Sequence, residues 1–349
     1  MKSFKNLAAY VLGSMALLLV SCDPFEPEPE PALDYSTGVW MINEGGFGQN
    51  NGSITIYQSG TRHSDPFFDA NGISAGDVLQ RVIRFGNQFA LVNNGGNKVA
   101  VGSAKSMRTQ YEIINLDYPR DVVVSGDYLY IAQGAMAGKV SKYQLSNGAW
   151  VADVTVGNGP ERMLITNNQL WVANSGGWLT DNTVSVIDLN TFQLQSTLYT
   201  GDRPSDMVYE ANSGRVFVLG SGEIIYDANW NVTGHTAATL SGFESDLSSF
   251  GQIQVGVDGD HPKFMDVSNG ELLIVNGGLD AYTNTSDLIC DDCITGSFYS
   301  VDADDNGDVW LTSVPDYVSN ATVSQYNWNN RSFKKNYIGG IATHSVLVP

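Results

Sequence analysis

Gly157-Asn158-Gly159-Pro160-Glu161-Arg162-Met163-Leu164-Ile165, followed by Asn167-Asn168 and Leu170-Trp171-Val172-Ala173-Asn174, is the stretch that decides the fold. A Gly-Pro turn opens an apolar run, an Asn-Asn turn reverses it, and a second apolar run ends on Asn. Short runs rich in β-branched and aromatic residues between such turns read as the two arms of a β-hairpin. The same order returns at Asp117-Tyr118-Pro119, Gly201-Asp202-Arg203-Pro204 and Gly259-Asp260-His261-Pro262. Each is followed by a second run of the same kind: Leu129-Tyr130-Ile131-Ala132-Gln133, Val216-Phe217-Val218-Leu219-Gly220 and Leu272-Leu273-Ile274-Val275-Asn276. Four consecutive prolines stand 41, 44 and 58 residues apart. A strand-rich unit that repeats every forty-odd residues is the size of one propeller blade.

The unit that starts at Pro160 continues through Thr183-Val184-Ser185-Val186-Ile187-Asp188 and closes with residues 193–198, which makes four antiparallel strands, A to D. Laid along the chain, this template predicts blades starting near Asp77, Pro119, Pro160, Pro204, Pro262 and Phe298. The 58-residue interval calls for an insertion, expected at residues 233–251. Residues 277–296 read as a long loop that leaves the fifth unit a reduced outer strand. Val39-Trp40-Met41-Ile42-Asn43 matches strand B and has no strand A before it, whereas His344-Ser345-Val346-Leu347-Val348 matches strand A and has nothing after it. Joined, they close the ring with one composite blade and leave no open sheet edge. The expected fold is all-β: a seven-bladed propeller over residues 35–349.

The N-terminus reads differently. Lys2 and Lys5 precede an apolar run at residues 7–20 that is too short to span a bilayer, and Leu19-Val20-Ser21-Cys22 looks like a lipobox. Residues 1–21 are therefore read as a lipoprotein signal peptide and Cys22 as the lipidated residue. Residues 22–34, with alternating Glu and Pro from Glu26 to Pro31, read as an extended acidic tether. This predicts an outer-membrane, lipid-anchored protein displayed at the cell surface. The 349-residue chain carries 18 basic and 37 acidic residues, a formal net charge of −19. Such a balance argues against nucleic acid and anionic lipid head groups as ligands.

Trp171-Val172-Ala173-Asn174, Val184-Ser185-Val186-Ile187-Asp188 and Gly201-x-x-Pro204 together resemble the YVTN/YncE-like seven-bladed propeller repeat. The opening Trp40-Met41-Ile42-Asn43-Glu44-Gly45-Gly46-Phe47-Gly48, with Asn51-Gly52-Ser53-Ile54-Thr55, resembles a subgroup of surface lipoproteins. Members of that subgroup accompany TonB-dependent outer-membrane transporters, and some capture cobalamin. The resemblance implies a small-molecule ligand, possibly a corrinoid, and a TonB-dependent transporter as partner.

In a four-stranded blade the B–C loops and the D-to-A connections emerge on one face, where propellers usually meet ligands. The rim loops are expected at residues 45–51, 93–97, 134–138, 175–182, 277–296 and 314–320. They carry Phe47, Gln49, Asn50, Asn94, Met136, Trp178, Tyr282 and Tyr317, side chains suited to stacking and neutral hydrogen bonding with a corrinoid or a sugar chain. Asn and Gly are also plain turn formers, and that reading competes at each single Asn. Arg120, Arg162, Arg203, His261 and His344, with Lys263, gather at the strand A starts. They could attract an anionic group, or could brace blades by pairing with Asp121, Glu161, Asp202, Asp206 and Asp260.

Cys290-Asp291-Asp292-Cys293 has no second CxxC and no nearby His, so a local disulfide is expected in preference to a metal site. Asp302-Ala303-Asp304-Asp305-Asn306-Gly307-Asp308 partly matches a calcium loop, but Ser313 stands where the bidentate Glu belongs, and Asn-Gly signals a hairpin turn. No catalytic motif, metal set or cofactor fingerprint is found. The expectation is a non-catalytic binding protein. A protein- or glycan-binding scaffold is the alternative, and a propeller hydrolase or lyase is less favoured.

Overall fold

A computed structural model describes residues 33–284 and 287–349. The expected signal peptide, Cys22 and all of the tether except Leu33 and Asp34 lie outside the described residues. Seven four-stranded antiparallel sheets follow one another as the blades of a β-propeller. Blade 1 comprises Leu79–Phe85, Gln88–Asn93, Lys98–Ser103 and Thr109–Ile113. Blades 2 to 6 begin with inner strands Asp121–Ser125, Pro160–Thr166, Pro204–Glu210, Met265–Ser268 and Ser300–Ala303. The closing blade takes its inner strand, Thr343–Leu347, from the C-terminus and its outer three from Val39–Asn43, Ser53–Gln58 and Thr61–His63. Trp40 pairs with Leu347 and Met41 with Val346, so hydrogen bonds between the two ends of the chain shut the ring.

The apolar runs are nearly continuous because both faces of each sheet are covered. In blade 3, Leu170 and Val172 pack toward blade 2, while Trp171 and Ala173 pack toward blade 4. Strand B of blade 2 divides in the same way, Leu129 and Ile131 facing blade 1 and Tyr130 and Ala132 facing blade 3. A side-chain period of two therefore sends alternate residues into two different interfaces. Each fully buried Leu, Ile, Val or Phe contributes roughly 1.5–3 kcal/mol, so the interfaces between sheets form the core.

Two boundaries differ from the sequence expectation. The insertion is a separate hairpin, Ile224–Tyr226 with Val232–His235, in the B–C connection of blade 4. Of residues 233–251, expected to be that insertion, only the start belongs to it; residues 238–251 instead fall in strands C and D of blade 4, Ala238–Phe243 and Ser249–Val255, and the turn between them. Residues 277–296 are not a long rim loop: a tight turn at Gly277 leads into strand Gly278–Tyr282, and the outer strand Leu288–Ile294 follows. The Cys290–Cys293 disulfide, with a Cα–Cα distance of 5.4 Å, therefore sits in the outer strand of blade 5 and shapes no rim loop. Residues 304–308 make the expected A–B turn, the Asp304 carboxylate accepting from the Asn306 and Asp308 amides.

Candidate functional site

The inner strands begin at the loop-bearing face, and at or just before the beginning of each one a residue lines a shared cavity of about 1270 Å³. Following Leu79, Pro119, Pro160, Pro204, Pro262, Phe298 and Thr343, these residues are Gln80, Arg120, Glu161, Ser205, Lys263, Tyr299 and His344, one per blade. The B–C loops raise the walls around this floor: Phe47 and Gln49, Gly134 and Ala135, Trp178, Ile224 and Tyr226, Tyr317 and Val318.

The charges of the floor are largely committed to one another. Arg120 forks onto Glu161 of the next blade, its Nε 2.7 Å from Oε2, and burial of the guanidinium is outweighed by that carboxylate. Tyr299 donates its hydroxyl to Glu44 at 3.2 Å. Burial raises the Glu44 carboxyl above its ordinary range, and it raises the Tyr299 phenol with help from Glu44. His344 donates Nε2–H to the Gln80 carbonyl at 3.2 Å, which leaves Nδ1 as a buried acceptor without a hydrogen-bond partner, 3.8 Å from Glu44. Burial, then Arg162 and Arg81, lower the His344 pKa to about 3, so the ring is neutral under physiological conditions.

One layer deeper, aspartates latch neighbouring blades. Asp121 accepts the Val122 amide of its own strand and the Met163 amide of the next blade. Asp206 does the same for Met207 and Met265, Asp266 for Val267 and Ala303, and Asp302 for Ser345 Oγ and the Val346 amide. Arg162 Nε lies 2.9 Å from Asp206, and Arg81 Nε 3.4 Å from Asp121. Burial pushes the Asp266 carboxyl up to about 6; burial and then Asp266 push Asp302 up to about 7. The bracing expected of the basic residues is thus present at Arg120 and Arg162. Arg203 pairs with Glu223 and not with Asp202 or Asp206, and His261 meets His235 and not Asp260.

Nine of the expected site residues line the cavity: Phe47, Gln49, Arg120, Arg162, Trp178, Arg203, His261, Tyr317 and His344. Four placements need correction. Tyr282 is buried between blades 4 and 5, since strand C begins directly after Gly277. Asn94 is buried and braces blade 1 to blade 2, its amide donating to the Pro119 carbonyl at 3.0 Å. Asn50 takes the left-handed backbone of an exposed turn, and Met136 is exposed without lining the cavity, whereas Gly134 and Ala135 line it. Sequence reasoning missed Glu44, Tyr118, Glu161, Tyr299 and Tyr226 as lining residues. Counting one residue past the expected blade starts Pro160 and Phe298 would have found Glu161 and Tyr299.

Trp178 is 70% exposed, on a loop whose backbone is tied down. Its amide donates to the Ala135 carbonyl at 3.2 Å, and Arg203 donates to the carbonyls of Ser175 and Leu179 on either side of it. Gly177 has a φ of +57°, and a Cβ there would stand 2.1 Å from the Ala135 oxygen, so only glycine lets the two loops touch. The Tyr118 ring meets the indole edge-on at 5.7 Å. The loop thus presents a large aromatic face in one preset position. Among the described residues no three His, Cys, Asp or Glu side chains are grouped to hold a metal ion.

Residues 37–256 match the family described as a domain of unknown function, DUF5074. The match spans more than half of the chain, which belongs to that family. No curated protein matches in sequence. Among solved structures, a quinoprotein alcohol dehydrogenase-like protein from Bacteroides thetaiotaomicron superposes with a TM-score of 0.64 at 13% identity, over 90% of this chain and 79% of its own. The computationally designed Ika8 protein gives 0.59 at 9% identity, over 89% and 90%. Hydrazine synthase from Kuenenia stuttgartiensis gives 0.52 at 15%, over 78% and 80%. At such identities the likeness is one of fold alone.

Proposed function

We propose that this DUF5074 protein is a lipid-anchored binding protein of the outer-membrane surface that captures a corrinoid in the rim cavity and passes it to a TonB-dependent transporter. The observation that carries the proposal is the cavity. At about 1270 Å³ it exceeds the usual 300–1000 Å³ range of small-molecule pockets, which suits a ligand of corrinoid size. Its floor offers hydroxyls, an amide and a neutral imidazole beside the paired Arg120 and Glu161 and the Lys263 side chain, and its walls offer aromatic faces. An amide-fringed, flat and nearly neutral ligand would be held there by stacking and neutral hydrogen bonds. Placement at the membrane rests on Cys22 and the acidic tether, and the partner on the resemblance to transporter-associated lipoproteins.

Calorimetric titration of the mature domain with cyanocobalamin tests the ligand. The proposal expects saturable binding at micromolar protein, and absence of heat under those conditions contradicts it. A second reading, a protein- or glycan-binding scaffold, draws on the apolar side chains that the rim shows to solvent, Phe47, Trp178 and Val318. Binding of a glycan or protein partner with no response to corrinoids would favour it.

A further inference from the structure

Beside the central cavity lies a second, open space of about 600 Å³ between the Trp178 loop and the inserted hairpin. The two spaces share Trp178, Arg203, Ile224 and Tyr226 as walls, so they adjoin at the indole. Trp230, at the hairpin tip, is the far wall. It is 82% exposed and takes a φ of +64°, a left-handed backbone that Gly or Asn adopts readily and a bulky residue does not.

The tip is locked in that shape. One oxygen of the Asp227 carboxylate accepts the amides of Asn229 and Asn231 at 2.8 and 2.9 Å, and the other accepts the Asn231 side chain at 3.0 Å. The hairpin is tied down at its base as well. Glu223 pairs with Arg203 at 3.3 Å, and His235 shares a 2.9 Å hydrogen bond with His261, whose Nδ1–H donates to the Ser221 carbonyl. The fold therefore holds an indole in solvent, on a strained and hydrogen-bonded turn and beside the Tyr226 ring at 5.9 Å, across from a second exposed indole. Neither ring is needed to fill a core.

We propose that this groove is a second subsite of the same ligand, taking a planar nitrogen-containing aromatic ring carried on a tether from the body in the central cavity. The inference rests on the corrinoid reading, since cobalamin carries such a ring, a benzimidazole, on its nucleotide tail. Trp178, Tyr226 and Trp230 supply faces for stacking, and Leu179 and Ile224 supply apolar edges. Polar groups are few: Asn158, Thr180 and the Arg203–Glu223 pair. A sugar ring would leave several hydroxyls unpaired against these walls, whereas a heteroaromatic base would not.

The test is a titration of the wild-type domain and of Trp230→Gly with cyanocobalamin and with dicyanocobinamide, which lacks the base. Glycine accepts the left-handed backbone, so the variant keeps the turn. The wild type is expected to favour cyanocobalamin on the order of tenfold, as one stacked base allows. Trp230→Gly should bring cyanocobalamin down to the dicyanocobinamide affinity and leave dicyanocobinamide unchanged. Equal wild-type affinities, or an equal effect of the substitution on both ligands, would overturn the subsite and leave corrinoid capture standing. Binding of neither ligand by the wild type would overturn the corrinoid reading and the subsite with it.

Discussion

The throat of the ring, built on the inner strands, and its rim, built on the B–C connections, treat their side chains in opposite ways. In the throat, Asp121, Asp206, Asp266 and Asp302 each take an amide of the next blade, and Arg162 is spent on Asp206. At the rim, Trp178, Phe47 and Trp230 stand in solvent although all three could have been small or polar. The throat spends its polar groups on closing the ring, and the rim spends glycine contacts, strain and ion pairs on displaying aromatic surface. Positions that follow the repeat maintain the fold, and positions that depart from it mark the candidate site.

The comparison breaks most sharply at Asp206. Asp206→Ala strips the Met207 and Met265 amides and the Arg162 guanidinium of their acceptor at once. Orphaning a buried ion-pair partner costs about 3–5 kcal/mol, so denaturant melts should show a loss of that order, and a loss under about 1 kcal/mol would refute the latch. At the rim the expectation reverses. Trp178→Ala should weaken corrinoid binding by roughly 2 kcal/mol, about 30-fold, with stability unchanged within about 0.5 kcal/mol. A fall in melting temperature without loss of affinity would make Trp178 a structural residue.

The disulfide sharpens the contrast from a third side. Its loop is short, so replacing both Cys290 and Cys293 by Ser should cost at most about 2 kcal/mol by loop-closure entropy. Because the bond lies in an outer strand, corrinoid titrations of that variant should match the wild type. A changed affinity would mean that blade 5 communicates with the rim.

The smallest expected effect is the pH dependence of Asp302. Its carboxyl is raised from an ordinary 3.8 to about 7 in the fold. The folded state therefore holds a proton that the unfolded chain releases, and this stabilisation is full below about pH 4 and lost as pH rises through about 7. Asp302→Asn removes that titration. Its stability penalty relative to wild type should shrink by about 1 kcal/mol or more between pH 4 and pH 7.5. A penalty that stays constant with pH, or grows, would mean that Asp302 is ionised throughout.

The ring was legible because the Gly-x-x-Pro starts and the alternating apolar runs are dictated by packing that recurs in every blade. Strands Val39–Asn43 and Thr343–Leu347, from opposite ends of the chain, could be paired on that logic alone, and Met41 meets Val346 there. The insertion is hard to place from sequence because Ala238-Thr239-Leu240-Ser241-Gly242-Phe243 is rich in small residues and carries little strand signal, although Ala238 and Leu240 are buried between blades. Tyr282 looks like a rim residue in the sequence because Asn276-Gly277-Gly278, a tight turn between two paired strands, carries the same signal as the start of a long loop. The floor ring was half legible. Arg120 and His344 stood out by charge, while Gln80, Ser205 and Tyr299 carry no signal until the register of the strand starts is known.

Amide hydrogen exchange of the mature domain, with and without saturating cyanocobalamin, tests most directly whether the departures from the repeat form the binding site. Protection should increase at residues 44–51, 175–182 and 221–237 and at the strand starts beneath them, with the outer strand Leu288–Ile294 unchanged. Unchanged exchange in those rim segments under saturating ligand, or protection confined to the outer strands, would contradict the account.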